Sequence, residues 1–201
     1  DFQKSFGFIN EALKIDKKYR DAYVMKGMNY HALGDMKLAK SSFETAVQQD
    51  PKFFIGYLQL GWLYTETEEY KYALEYFKTA VELEPTSTDA LYGVAKSQQE
   101  LGLYPEALAS YRQLIQTDTS YHLALFNQGY IKQFYQNELD SAVYFYKSAI
   151  EIQPDFVNGW HNLGLTYSMQ GRKNMAYKAY KKALEYNPDF ELTQKEIMKL
   201  K

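Results

Sequence analysis

The chain has 201 residues, of which 46% are hydrophobic, enough for one large core or a series of small stacked ones. Its net charge is −2, from 23 basic and 25 acidic residues, which provides no electrostatic footprint for a nucleic acid. It contains no cysteine, which excludes disulfides and zinc–thiolate sites, and no apolar run approaches the about 20 residues that span a bilayer.

Residues 1–19 predict one amphipathic helix. Phe6, Ile9 and Leu13 lie on one face of it, because they recur at helical spacing. In the register of the rest of the chain, this segment corresponds to the second helix of a pair whose first helix is missing. We therefore expect these three side chains to form an exposed end that could stack on another copy of the chain. We also expect the chain, which begins with Asp1, to be a piece of a longer protein.

From residue 20 onward, the sequence repeats with a period of about 34 residues. Four prolines mark the period at intervals of 34, 69 and 34 residues: Pro51, Pro85, Pro154 and Pro188. We place the repeats at 20–53, 54–87, 88–121, 122–156 and 157–190, as one domain in which the fourth repeat is one residue longer. The extra residue is expected in the turn around Phe134–Asp140, where a change of length costs least.

The same residue types return at the same positions of each repeat. Position 8 is small: Gly27, Gly61, Ala95, Gly129 and Gly164. Position 20, one later in the fourth repeat, is alanine: Ala39, Ala73, Ala107, Ala142 and Ala176. Position 24 is aromatic: Phe43, Phe77, Tyr111, Tyr146 and Tyr180. A small residue on the first helix lets the second helix approach closely, and the aromatic ring fills the space between repeats. Glycine at position 15 (Gly34, Gly102, Gly171) suits a turn with positive φ.

This pattern, repeated five times in register, resembles the tetratricopeptide repeat family over nearly the whole chain. The resemblance implies an all-α fold, a right-handed superhelical solenoid of antiparallel helix pairs. It also implies a non-catalytic scaffold that binds a protein or peptide. Residues 191–201 are expected to form a capping helix with Leu192, Ile197 and Leu200 on one side.

In this family the first helices line a concave groove, to which positions 2, 5, 6, 9, 12 and 13 contribute. The resemblance therefore implies a partner-binding groove at Met28, Gln59, Trp62, Tyr92, Phe126, Asn127, Tyr130, His161 and Asn162. Large aromatic side chains are typical of binding hot spots, and amides both donate and accept hydrogen bonds. The alternative interpretation is that positions 5 and 9 pack between adjacent first helices.

Several other functions are not expected from these residues. The three histidines, His31, His122 and His161, form no helical metal pair, so neither a metal nor a cofactor is predicted. The groove lacks the basic cluster with which chaperone-adaptor members of the family hold a terminal carboxylate. We predict no nucleic-acid partner and no membrane insertion.

The alternative function is a structural or oligomerisation arm of a longer protein. The composition resembles that of repeat proteins in bacterial envelopes, and the cytoplasm is the alternative compartment.

Overall fold

The computed structural model describes residues 1–200, which form twelve α-helices and no strand. The helices are α1 (Phe2–Ile15), α2 (Arg20–Ala32), α3 (Met36–Gln49), α4 (Phe54–Glu66), α5 (Tyr70–Leu83), α6 (Thr88–Glu100), α7 (Tyr104–Thr117), α8 (His122–Phe134), α9 (Leu139–Ile152), α10 (Val157–Met169), α11 (Lys173–Tyr186) and α12 (Glu191–Lys199). The predicted all-α fold class is confirmed. We propose that each pair from α2/α3 to α10/α11 is one repeat.

Aspartate and asparagine side chains shape the turn that follows several second helices. Asp50 ends α3, and its Oδ1 accepts a hydrogen bond from the backbone N–H of Lys52 at 2.9 Å. Asp16, Asp118 and Asn187 make the same bond to the N–H two residues later. Such a side-chain turn competes with the helix and stops it, so the chain reverses toward the next first helix.

The helices group into two compact units, Asp1–Ala107 and Leu108–Lys201, and α7 is shared between them. In the first unit, α2 packs on α3 and α4 on α5, while α3 contacts α4 and α5 contacts α6. The first helices α2, α4 and α6 also contact one another in sequence. In the second unit, α8 packs on α9 and α10 on α11, and α8 also contacts α10. Each unit is therefore stabilised by neighbouring helices in a stack.

Phe77 shows why the repeat alternates small and aromatic residues. Its ring is fully buried between α4 of its own pair and α6 of the next. A Cβ added to Gly61 on α4 would lie 2.6 Å from the ring, and a Cβ added to Gly93 on α6 would lie 2.4 Å from it. The two glycines therefore leave the space that the ring fills, and one side chain joins two pairs.

The turns between the helices of a pair have a left-handed residue. Gly34, Gly102 and Gly171 have φ of 80°, 75° and 73°, as the glycine pattern predicts. In the second pair this position is Glu68, with φ of 59°. The connection between α8 and α9 runs over residues 135–138 and is one residue longer than the 67–69 connection of the second pair. The extra residue of the fourth repeat therefore lies in this turn, where Asn137 has φ of 53°.

The prediction that Phe6, Ile9 and Leu13 form an exposed end was wrong. Ile9 is buried, Phe6 and Leu13 are partly buried, and the ring of Phe6 lies 4.9 Å from that of Tyr30 on α2. The stripe is the face with which α1 packs on α2, because an amphipathic helix buries its apolar face whenever a neighbour is available. The exposed apolar residues of α1 are instead Phe2, Phe8 and Ile15.

The C-terminal helix α12 packs on the end of the second unit. Thr193 is fully buried, and Ile197 and Leu200 pack against the core between α10 and α11. Leu192 differs from the prediction, because its side chain is 57% exposed and lies away from that core. Lys201, the last residue of the predicted cap, lies outside the described residues.

Candidate partner-binding site

A pocket lies between the first helices α2 and α4 of the first unit. Met28 on α2 and Gln59 and Trp62 on α4, all predicted as groove residues, line it together. Its volume is about 310 Å³. Phe43 and Leu63 are buried and form the apolar base, whereas the side chain of Met28 is 45% exposed. The structure therefore brings three predicted residues into one concave, mostly apolar site, the type of surface that binds ligands. We call it the α2–α4 pocket.

Trp62 is held in place by neighbouring aromatic rings. It packs edge-on against Phe77, with ring centroids 4.8 Å apart, and it lies 6.3 Å from Tyr92 on α6. The indole is half-buried, so the remaining surface faces the pocket. Because its orientation is already set, little side-chain entropy is lost when a partner binds against it.

The polar rim of the α2–α4 pocket is formed by His31 and Glu66. His31 Nε2 and Glu66 Oε2 lie 2.6 Å apart, so a hydrogen bond joins α2 to α4. Both residues line the pocket, and both lie at predicted groove positions, 12 and 13 of their repeats, although neither was among the nine residues singled out for partner binding. The repeat register indicates this contact, because position 12 of one repeat and position 13 of the next lie on neighbouring first helices.

The residues at position 5 pack between neighbouring helices. Val24 and Leu58 are buried. The Phe126 ring lies 5.5 Å from Tyr146 and 5.1 Å from Phe156. At these positions the geometry corresponds to the alternative interpretation, in which the side chain serves mainly to pack the stack.

The predicted amides do not share one environment. Gln59 lines the α2–α4 pocket, whereas Asn127 on α8 is buried. Asn162 on α10 donates from Nδ2 to the backbone oxygen of Asn158 at 3.0 Å. Gln59 is thus the predicted amide that the structure places at a pocket.

The remaining predicted residues of the second unit lie on α8 and α10. Tyr130 is half-buried and packs against Phe134, with ring centroids 4.7 Å apart. His161 Nδ1 lies 2.8 Å from Thr193 Oγ1 of α12, and its ring packs edge-on against Phe190 at 5.4 Å. Burial lowers the pKa of His161 below its usual value, and nearby Glu196 opposes this in part. His161 therefore serves as a contact for α12.

Neither a metal cluster nor a membrane-spanning helix occurs within the described part of the chain. No group of three or more His, Asp or Glu residues there is placed to hold a metal ion. None of the twelve helices is both long enough and apolar enough to cross a bilayer.

Several solved structures share this fold. MamA is 27% identical with a TM-score of 0.74, over 84% of this chain and 92% of that chain. YrrB, described as a TPR protein with an unusual peptide-binding site, is 20% identical with a TM-score of 0.72, over 94% of this chain and 96% of that chain. A tetratricopeptide repeat protein from Parabacteroides merdae is 18% identical with a TM-score of 0.77, over 90% of this chain and 72% of its own.

A curated relative matches a smaller part. Human (Homo sapiens) Protein O-mannosyl-transferase TMTC1 is 34% identical over 65 residues, which are 32% of this chain and 7% of that protein. The chain therefore corresponds to a small fraction of the length of this relative.

Family models cover most of the sequence. Models described as tetratricopeptide repeat match residues 21–53, 56–87, 89–118 and 157–190. A model described as TPR repeat matches residues 132–171. Together with the stacked helix pairs and the similar solved structures, these matches show that the chain is a helical solenoid and belongs to the tetratricopeptide repeat family.

Proposed function

We propose that this chain is a non-catalytic scaffold that binds a peptide or an extended segment of a partner protein on the faces of its first helices. Tetratricopeptide repeats generally serve as protein-interaction scaffolds, which supports the broad assignment. The observation that carries the finer proposal is the α2–α4 pocket, where Met28, Gln59 and Trp62 combine apolar surface with an amide. Methionine and tryptophan are typical of surfaces that bind partners.

We propose a peptide as the ligand of the α2–α4 pocket. YrrB is described as having a peptide-binding site, and its chain is similar to this one over nearly its full length. At 20% identity this likeness shows the fold alone, so the peptide is proposed here from the chemistry of the pocket. Gln59 can donate and accept hydrogen bonds with a peptide backbone, while Trp62 and Met28 contact a side chain.

We propose no catalytic activity for these residues. The two ionisable groups that line the α2–α4 pocket, His31 and Glu66, are hydrogen-bonded to each other across its rim. The relative named as an O-mannosyl-transferase is matched over 7% of its length, so its activity is not transferred.

Binding of selected peptides tests this function. Peptides that bind the full chain are selected from a random 12-residue library, and their affinities are compared between the parent and Met28→Gln and Trp62→Ala. We expect a loss of about ten-fold or more for Trp62→Ala, because truncated aromatic hot spots cost 1.4 kcal/mol or more. Tyr72→Ala is the matched control, since Tyr72 is an exposed aromatic on α5. Equal affinities for all variants, with unchanged helical circular dichroism, would rule out this site.

A second candidate function is self-association through α1. Phe8 and Ile15 are 76% and 90% exposed, seven residues apart on one face of the helix. Self-association is therefore proposed through this face and not through the predicted stripe of Phe6, Ile9 and Leu13. Sedimentation velocity of the parent and of Phe8→Ser decides between the alternatives. A monomer at high concentration for both proteins would exclude end-to-end assembly.

A further inference from the structure

The α2–α4 pocket has one carboxylate and no lysine or arginine. Glu66 provides the negative charge, and His31 is its partner. We infer that the segment bound here inserts one apolar side chain and places a lysine or arginine beside it, within reach of Glu66. This inference rests on the proposed function and specifies its ligand, a basic–apolar segment of a partner protein.

The apolar part of the pocket suits a single side chain. Its volume of about 310 Å³ is closed at the base by the buried Phe43 and Leu63. Met28 and Trp62 form the walls, and the methionine thioether is flexible enough to fit aliphatic or aromatic groups. Burying one such side chain against these walls supplies the main favourable term, because removal of apolar surface from water drives association.

Glu66 has an oxygen available for a cation. Its Oε2 is bonded to His31, and no other residue of the described chain forms a hydrogen bond or ion pair with this carboxylate. The side chain is 48% exposed, so an incoming ammonium or guanidinium group can reach it from solvent. A carboxylate accepts several hydrogen bonds, so both contacts can exist at once.

His31 is a positioning residue for this carboxylate. It reaches from α2 to Glu66 at the end of α4, and the 2.6 Å contact fixes the direction of the carboxylate at the pocket rim. A fixed carboxylate loses less side-chain entropy when a cation binds than a mobile one does. An acidic residue beside the apolar side chain would instead meet Glu66 with repulsion, which disfavours acidic segments.

Composition of the selected peptides is the first test. A random 12-residue library is panned on the full chain, and on Glu66→Gln in parallel. For the parent we expect Leu, Met or Phe next to Lys or Arg to be enriched, and for Glu66→Gln we expect the basic residue to lose its enrichment while the apolar residue keeps it. Glu75→Gln on α5 is the matched control, since Glu75 is an exposed carboxylate paired with Lys78 outside the pocket.

A double-mutant cycle measures the contact directly. A selected peptide and its Lys-to-norleucine analogue are titrated into the parent, Glu66→Gln and Glu75→Gln. In a Trp160→Phe background Trp62 is the single tryptophan, because the chain has two, so its fluorescence reports binding. We expect the lysine to improve affinity about two- to five-fold in the parent and not in Glu66→Gln, as for an exposed ion pair. Higher salt should weaken this preference.

The outcomes separate this inference from the proposed function. Some selected peptides could lose binding in Trp62→Ala and yet lack basic residues, or bind Glu66→Gln as tightly as the parent. Such peptides would overturn the basic–apolar ligand and leave the scaffold site intact. Selected peptides indifferent to both Trp62→Ala and Met28→Gln, or a library that yields no binder, would contradict both proposals. Met28→Gln guards against misfolding, because Met28 is 45% exposed and is not part of the buried core.

Discussion

The Nε2 atom of His31 lies 2.6 Å from Oε2 of Glu66, and this contact joins α2 to α4 at the rim of a pocket. Both side chains are more than a third exposed, so solvent screens the interaction. We therefore predict that Glu66→Gln changes the free energy of unfolding by less than about 1 kcal/mol. Urea denaturation followed by circular dichroism measures it. A larger loss would show that the pair maintains the fold, and Glu66→Gln would no longer be a clean binding variant.

The close contact between Gly61 and Phe77 predicts a sharp difference between two glycine substitutions. In Gly61→Ala the new Cβ would lie 2.6 Å from the buried ring, so we expect a loss of about 1–3 kcal/mol in the free energy of unfolding. Gly7→Ala is the control, because Gly7 is also inside a helix but has no atom within 4 Å of the new Cβ. It should gain about 0.5–1 kcal/mol from helix propensity. Equal effects of the two substitutions on urea denaturation would contradict the packing described for Phe77.

The left-handed conformation of Glu68 predicts that a glycine there is tolerated or favourable. Its φ of 59° strains a residue with a Cβ by about 1–2 kcal/mol, which exceeds the entropic cost of glycine in the unfolded chain. Glu68→Gly should therefore raise the thermal midpoint slightly. Gly34→Ala, at φ of 80° in the equivalent turn, should lower it. If Glu68→Gly is the more damaging change, the turn between α4 and α5 does not have this conformation.

The partly buried histidines His122 and His161 predict a loss of stability on mild acidification. Burial is the main reason that the pKa of His122 and of His161 lies below the usual 6.5. The unfolded chain therefore binds protons at a higher pH than the folded chain does. Their contribution to stability is complete above about pH 6.5 and is lost as the pH falls through the lowered values.

Urea denaturation at about pH 7.5 and about pH 5 measures this dependence. His161→Gln should reduce it, because one of the two imidazoles is removed, and the remaining dependence should fall further when His122 is also replaced. If the double variant keeps the pH dependence of the parent, groups other than the two histidines cause the loss of stability.

Residues that recur with the period could be predicted from the sequence, whereas contacts between residues outside the recurring positions could not. The pattern of small residues at position 8 and aromatic residues at position 24 predicted that Phe77 packs beside Gly61, whereas Gly93, at position 6, was not part of that pattern. The orientation of Phe6, Ile9 and Leu13 was missed, since a stripe shows that a face is buried without showing against which helix. His31 and Glu66 lie at predicted groove positions, but their contact was not predicted, because it depends on how two first helices are placed side by side.

The methyl groups of the methionines give the most direct test of the binding site on the first helices. The chain has six methionines, and Met28 lies in the α2–α4 pocket, whereas Met36 and Met175 lie on the second helices α3 and α11. A selected peptide is titrated into the chain labelled at its methionine methyls, and the spectra are recorded by NMR. We predict a saturable shift of the Met28 resonance with Met175 unchanged. Saturable shifts at Met36 or Met175 with no change at Met28 would contradict the account.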